Sequence, residues 1–299
     1  MNLLRWLSEI RTPVTEKFFL YVTDIGGEII IVAFACYMFW FVSKRAGQRI
    51  CMAYFTSGLL VQTIKITARV KRPWLIDENF KPVEAAVEGA TGYSFPSGHT
   101  QSSASVFGSA AAIFKNKAIK TFFVVLIILV GFSRMFLGVH TPYDVAGGIF
   151  FAICGIVISG RFIKEDKEIK PAVYITLFAA SAAAFIYSYV LCKNGIVDIA
   201  NSQDCCKSAG AAAGFAISLF IDEKYTKYKV PSVNAGFKAV LFIAGVAVIA
   251  AAKVLIKIIF PKTLIADAVR YMILVFIYAV FYPAIIQKVV KKQEGKTEG

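Results

Sequence analysis

Apolar residues along this chain gather in long blocks separated by short polar stretches. Nine segments stand out: 28–42, 50–64, 100–114, 122–137, 143–158, 172–191, 209–221, 240–259 and 264–286. Several approach the roughly 20 apolar residues that a bilayer-crossing helix needs. The third and seventh are shorter and rich in Ala, Ser and Gly. Such residues let helices pack closely inside a bundle. Ahead of the first block, Leu3, Leu4, Trp6, Leu7 and Ile10 recur at near-helical spacing with charges between them. That pattern predicts an amphipathic helix lying in the membrane interface. Arg5, Glu9, Arg11, Glu16 and Lys17 interrupt any apolar run, and a cleavable signal would need such a run.

Composition agrees with the pattern. Of the 299 residues, 58% are hydrophobic and only 17% are charged. A soluble domain carries about 25% charged residues. The fold class expected is all-α, a polytopic transmembrane helical bundle. The net charge of +14 raises the question of nucleic acid. The cations are dispersed between apolar spans and form no basic face, so no nucleic-acid partner is expected. They mark loops instead: Lys44, Arg45 and Arg49; Lys115, Lys117 and Lys120; Arg161, Lys164, Lys167 and Lys170; Lys224, Lys227 and Lys229; Lys288, Lys291 and Lys292. Every second connection is basic, which predicts that these face the cytoplasm. The basic stretch 65–81 falls on the opposite, outer side, where an anion-binding role explains it better than topology does.

Six cysteines are present, and Cys192 lies one loop away from Cys205 and Cys206. None forms a zinc pattern. A disulfide across that loop depends on its facing an oxidising compartment.

Candidate chemistry lies in three polar clusters, all on that outer side. His140-Thr141-Pro142-Tyr143-Asp144 reads as a helix start, with Thr141 as N-cap and Pro142 as first helical residue. Asp144 either orients the His140 imidazole, leaving one ring nitrogen as nucleophile, or serves only as a capping carboxylate. Pro96-Ser97-Gly98-His99 precedes another apolar block. Ser97 can cap it, Gly98 permits close backbone approach, and free N–H groups at a helix start bind phosphate. His99 beside them can protonate a leaving oxygen. Lys65 and Arg72 are seven residues apart, on one face of a helix that would end near Arg72 because Pro73 follows. With Arg134 they can hold the non-bridging oxygens of a phosphate and stabilise developing charge. Taken singly, each cation could equally be a snorkelling residue at a span end.

Together the clusters carry a signature: Lys65-x6-Arg72-Pro73, then Pro96-Ser97-Gly98-His99, then Ser133-Arg134-x5-His140-x3-Asp144. The chain resembles the type 2 phosphatidic acid phosphatase (PAP2) superfamily at all these positions, over residues 26–165, and most of all its integral-membrane lipid phosphatases. The resemblance implies that His140 is the nucleophile that becomes phosphohistidine, that Asp144 orients it, and that His99 is the general acid. It implies that Lys65, Arg72, Ser97, Gly98 and Arg134 bind the substrate phosphate, and that no metal or other cofactor is used. The expected substrate is a lipid phosphomonoester or diphosphate of the phosphatidate, phosphatidylglycerol phosphate or polyprenyl diphosphate type, at the outer face of the cell membrane.

The expected organisation is an interfacial segment over 1–25, a catalytic membrane core over 26–165, about four additional transmembrane helices over 166–290 and a polar tail over 291–299. The additional helices leave room for a lipid-entry wall, a homodimer surface or a second function. Two alternatives share the motifs: phosphotransfer to another alcohol through the same intermediate, and a non-catalytic transporter or scaffold.

Overall fold

The computed structural model describes residues 1–297. It consists of helices and connecting loops: α1 (Asn2–Glu9), α2 (Pro13–Asp24), α3 (Glu28–Tyr37), α4 (Lys44–Ala68), α5 (Pro73–Ile76), α6 (Glu84–Val87), α7 (Gly98–Ile113), α8 (Lys117–Phe136), α9 (Pro142–Phe162), α10 (Pro171–Lys193), α11 (Ile199–Ile221), α12 (Ala235–Ile259), α13 (Leu264–Phe276) and α14 (Tyr282–Thr297). Wider π-type turns continue α3 over Met38–Val42, α11 over Asp222–Thr226 and α13 over Ile277–Phe281. All nine apolar segments fall on helices. Among the described residues, seven helical stretches are long and apolar enough to cross a membrane.

An eighth candidate crossing is bent. α2 and α3 meet at 41° and pass the same test only as a pair. The apolar pattern starts this span at Glu28 and puts residues 13–24 in the interfacial segment. Glu16 and Lys17 hide the apolar character of α2, and the break falls at Gly26 and Gly27. A Cβ on Gly26 would lie 2.9 Å from the His99 carbonyl oxygen, so this close approach requires glycine. Only α1 then has the surface character expected of the N-terminal segment. Leu4 and Leu7 are fully buried against the protein, while Leu3, Trp6 and Ile10 face outward. Arg5 pairs with Asp77 at 2.6 Å, which fixes α1 at the end of the bundle that carries the motif loops.

α7 is the innermost helix of the N-terminal half, packed against α4, α8 and α9. Its 16 residues make it short. Several of its polar side chains find partners inside the bundle, although the buried Ser109 hydroxyl has none. Gln101 Nε2 donates to Ser57 Oγ (2.7 Å) and Ser105 Oγ (3.0 Å), and Ser105 Oγ donates to the Gln101 carbonyl. Ser- and Ala-rich composition is therefore what lets α7 stay apart from lipid, since buried polar groups need partners.

The C-terminal helices pack as a second layer. α11 lies between α10 and α13 and also contacts α4. Gly210 and Gly214 make the α11–α13 approach possible: a Cβ on Gly210 would collide with the Ala268 carbonyl oxygen, and one on Gly214 would fall 2.6 Å from that of Met272. At the end remote from the motif loops, Asp222 binds Lys44 at 2.8 Å and accepts from Gln48 and the Tyr228 amide, tying α4 to the end of α11. Trp40 is fully buried there, its indole donating to the Tyr278 carbonyl at 2.9 Å. All six cysteines are free thiols, with Cys205 and Cys206 buried within α11.

Candidate active site

Every candidate residue from the three clusters lies at one end of the bundle. Lys65 reaches it from the last turn of α4. The helix ends at Ala68, earlier than Pro73 alone predicts, because Arg69 adopts a left-handed conformation (φ 50°). Lys65 and Arg72 are therefore brought together by a turn and do not share a helical face. Arg72 caps the short α5 and is held on three sides. It donates to the carbonyls of Thr91 (2.6 Å), Gly92 (3.1 Å) and Val139 (2.9 Å).

α9 starts as the sequence dictates. Thr141 is the N-cap, Pro142 opens the helix, and Asp144 completes a capping box. One oxygen of Asp144 does several things at once. Oδ2 accepts from the Thr141 amide (2.7 Å) and the Ser94 hydroxyl (2.7 Å), and lies 3.5 Å from His140 Nδ1. The capping contact and the approach to the imidazole thus coexist in one geometry, with the cap the tighter. Arg72 Nη1 lies 2.9 Å from His140 Nε2 and 3.5 Å from Nδ1, against the edge of the ring between the two nitrogens. A carboxylate can only accept and an arginine can only donate, so with Asp144 beside Nδ1 and Arg72 nearer Nε2 the tautomer assigned carries its proton on Nδ1 and a lone pair on Nε2. Burial, then the charges of Arg72, Arg134 and Lys65, hold the imidazole well below its ordinary pKa. It is therefore neutral at neutral pH.

Ser97 caps α7, and its own amide donates to the Asp144 carbonyl at 2.9 Å, locking the second cluster to the third. The Val139 and His140 amides both donate to the Arg134 carbonyl, so the end of α8 positions the loop that carries His140. A Cβ on Gly98 would meet nothing within 4 Å. The neighbouring protein thus does not require glycine there; the open space it keeps belongs to the cavity that Gly98 lines.

Lys65 (6% exposed), Arg72 (3%) and Arg134 (2%) are all buried. Burial is costly for a charge unless an anion meets it. Arg134 shows the imbalance best. Nη1 donates to the Thr23 hydroxyl at 2.8 Å, while Nε and Nη2 are buried without a partner. Lys65, Arg72, Gly98, His99, Arg134 and His140 line one cavity of about 320 Å³. A neutral imidazole, a second histidine, two free guanidinium donors and a helix N-terminus together suit in-line attack on a phosphate.

Four contributors carry no sequence signature of their own. Ser94 and Thr23 are single hydroxyls in no spaced motif. Asp204 and Lys207, on α11, line the same cavity, although the C-terminal part of the sequence holds no recognisable cluster. Asp204 accepts from Thr91 (2.6 Å) and pairs with Lys207 (3.0 Å), joining the loop before Ser97 to the C-terminal layer. The one available signal is the D-x-x-K spacing ahead of an Ala-rich run. Among the described residues, no group of three or more His, Cys, Asp or Glu is placed to hold a metal ion.

Known proteins divide along the same line. Residues 46–168 match the PAP2 superfamily model, and residues 206–294 match the model described as PAP2 superfamily phosphatase, transmembrane extension. Phosphatidylglycerophosphatase B of Bacillus subtilis (strain 168) is 29% identical over 174 residues, covering 55% of this chain and 79% of that protein. Undecaprenyl-diphosphatase BcrC of the same organism is 28% identical over 164 residues, covering 54% of this chain and 79% of that protein. Among solved structures, LpxE of Aquifex aeolicus is similar at 23% identity and TM-score 0.48, covering 54% of this chain and 94% of that one. A transmembrane PAP2-type phosphatidylglycerolphosphate phosphatase from Bacillus subtilis is similar at 25% identity and TM-score 0.47, covering 56% of this chain and 86% of that one. With the three motif clusters intact and both family models matched in order along the chain, this protein belongs to the PAP2 superfamily, as an integral-membrane member carrying the transmembrane extension.

Proposed function

We infer that this chain is a membrane lipid phosphatase that hydrolyses a lipid phosphomonoester or diphosphate through a phosphohistidine. The observation that carries the reading is the His140 geometry: the imidazole lines a cavity between the Asp144 carboxylate and the Arg72 guanidinium, with two unpartnered donors on Arg134, which lines the same cavity. The relatives named above carry phosphatase names, which agrees with it. In the first step the Nε2 lone pair attacks phosphorus, the P–O bond to the lipid breaks, and His99, as the imidazolium that the negative charge of the bound phosphate stabilises, gives its proton to the departing oxygen. The Arg72 donor that faces Nε2 passes to a phosphate oxygen as the new P–N bond forms. Lys65 and Arg134 hold the other non-bridging oxygens. In the second step His99 takes a proton from water, the water oxygen attacks phosphorus, and the P–N bond breaks to return neutral His140 and free phosphate.

The test is phosphate release by the purified protein from a panel of lipid phosphates: phosphatidate, phosphatidylglycerol phosphate and a polyprenyl diphosphate. Turnover of at least one is expected. It should persist in excess EDTA, because fixed cations meet the transition-state charge, and vanadate should inhibit. Activity lost on chelation and restored by magnesium would overturn the metal-free mechanism.

We place the site on the outer face of the cell membrane, because the basic loops alternate away from it. Glu84 and Asn116 are exposed at opposite ends of the bundle. In a background without native cysteines, a cysteine at Glu84 should react with an impermeant thiol reagent in intact cells. One at Asn116 should react only after permeabilisation. The reverse pattern puts the site in the cytoplasm.

A further inference from the structure

The cavity does not stop at the phosphate-binding residues. It runs on past Gly58 and Tyr54 to an apolar stretch formed by Val32, Phe55, Ile249, Leu274 and Val275. Ile249 belongs to α12, and Leu274 and Val275 to α13, so the C-terminal extension supplies part of the wall. Where this stretch meets the outside is set by how α12 rests on α3. Towards the far end of the bundle the two are sealed. Phe242 packs edge-on against Tyr37 (5.5 Å) and Trp40 (6.3 Å), Lys238 donates to the Phe41 carbonyl, and Gly245 abuts the Trp40 ring. Towards the site, the next bond between them is one ion pair, Glu28 with Lys253 at 3.0 Å.

Between seal and ion pair, roughly 12 Å of helix separates Gly245 from Lys253. Val32 on α3 and Ile249 on α12 fall in that interval, both half-buried and both lining the cavity. The ion pair is itself half exposed, among outward-facing Ile29, Val254, Leu255 and Ile258. A charge pair set in an apolar belt is expensive and marks a functional position in membrane proteins.

We propose that the hydrocarbon chain of the lipid substrate leaves the active site sideways through this opening, between Val32 and Ile249 and under the Glu28–Lys253 clasp. The extension is then the second wall of the substrate pocket. The occupant follows from continuity: the same cavity is cationic at the His140 end and has an apolar wall of Val32, Phe55, Ile249, Leu274 and Val275 at the α3–α12 end, where Glu28 and Lys253 line only its rim as a neutralised pair, and that is the polarity of a lipid phosphate. The proposal rests on the lipid phosphatase reading.

Two measurements test it. In Val32→Trp and Ile249→Trp, the ratio of kcat/KM for a long-chain phosphatidate to that for a water-soluble short-chain phosphatidate should fall about tenfold or more, because an indole closes the opening to a chain that must pass through it. A ratio equal to that of the wild type in both variants overturns the proposal. In the unaltered protein, a phosphatidate carrying a diazirine near the end of its chain should photolabel α3 and α12, and excess unlabelled phosphatidate should suppress the labelling. Labelling confined to α8 or α10, or not suppressed by competitor, overturns it equally, with no dependence on either variant folding. Photolabelling needs no turnover. Suppressible label on α3 and α12 without phosphate release would uphold the opening and strike only the catalytic reading.

Discussion

His140→Gln is expected to abolish phosphate release, by a factor on the order of 10⁴ or more, the scale seen when a covalent nucleophile is removed. Glutamine keeps a polar side chain near Arg72 but offers no basic ring nitrogen to attack phosphorus. The fold should survive, because the Val139 and His140 amides that bind the Arg134 carbonyl are backbone groups. A labelled phosphate should be trapped on the unaltered protein after a rapid acid-free quench, and mapped to the peptide containing His140. Label recovered at His99 would reverse the roles given to the two histidines.

Arg134→Met should separate catalysis from stability. Turnover is expected to fall about 10²–10³-fold, as when an oriented charge-stabilising donor is removed. The guanidinium is buried with two unsatisfied donors. Replacing it by an apolar chain of similar length should make the folded protein more stable by about 1 kcal/mol or more. Melting of the detergent-solubilised protein with no phosphate in the buffer reads the second effect. Inorganic phosphate should then raise the melting temperature of the original protein more than that of the variant, since a ligand stabilises by binding only the folded state. A variant that melts lower without phosphate would show that Arg134 is held by more than Thr23.

Much of this was legible in the chain. Long apolar blocks announce helices because a bilayer admits little else, and α8, α9, α10 and α12 fall where their blocks lie. The cap formed by Thr141, Pro142 and Asp144 is local chemistry, readable from neighbouring residues, and the structure reproduces it. Part of what escaped depends on distance along the chain. Thr23 meets Arg134 across 111 residues, and Asp204 meets Thr91 across 113, with no spacing to betray either. Glu16 and Lys17 disguise α2 because a helix packed on α8 can carry charge on its free face. The turn at Arg69 escaped because a left-handed arginine has no signature in sequence.

The single oxygen shared by Thr141, Ser94 and His140 makes catalysis a reporter of folding. The carboxylate that starts α9 is also the one facing the imidazole, so a chain whose α9 frays at its first turn misplaces His140, the proposed nucleophile, at the same moment. Heat inactivation and the melting of that turn should therefore follow one curve. A substitution far away that loosens the start of α9 would mimic an active-site defect in an assay, though it touches no reacting atom.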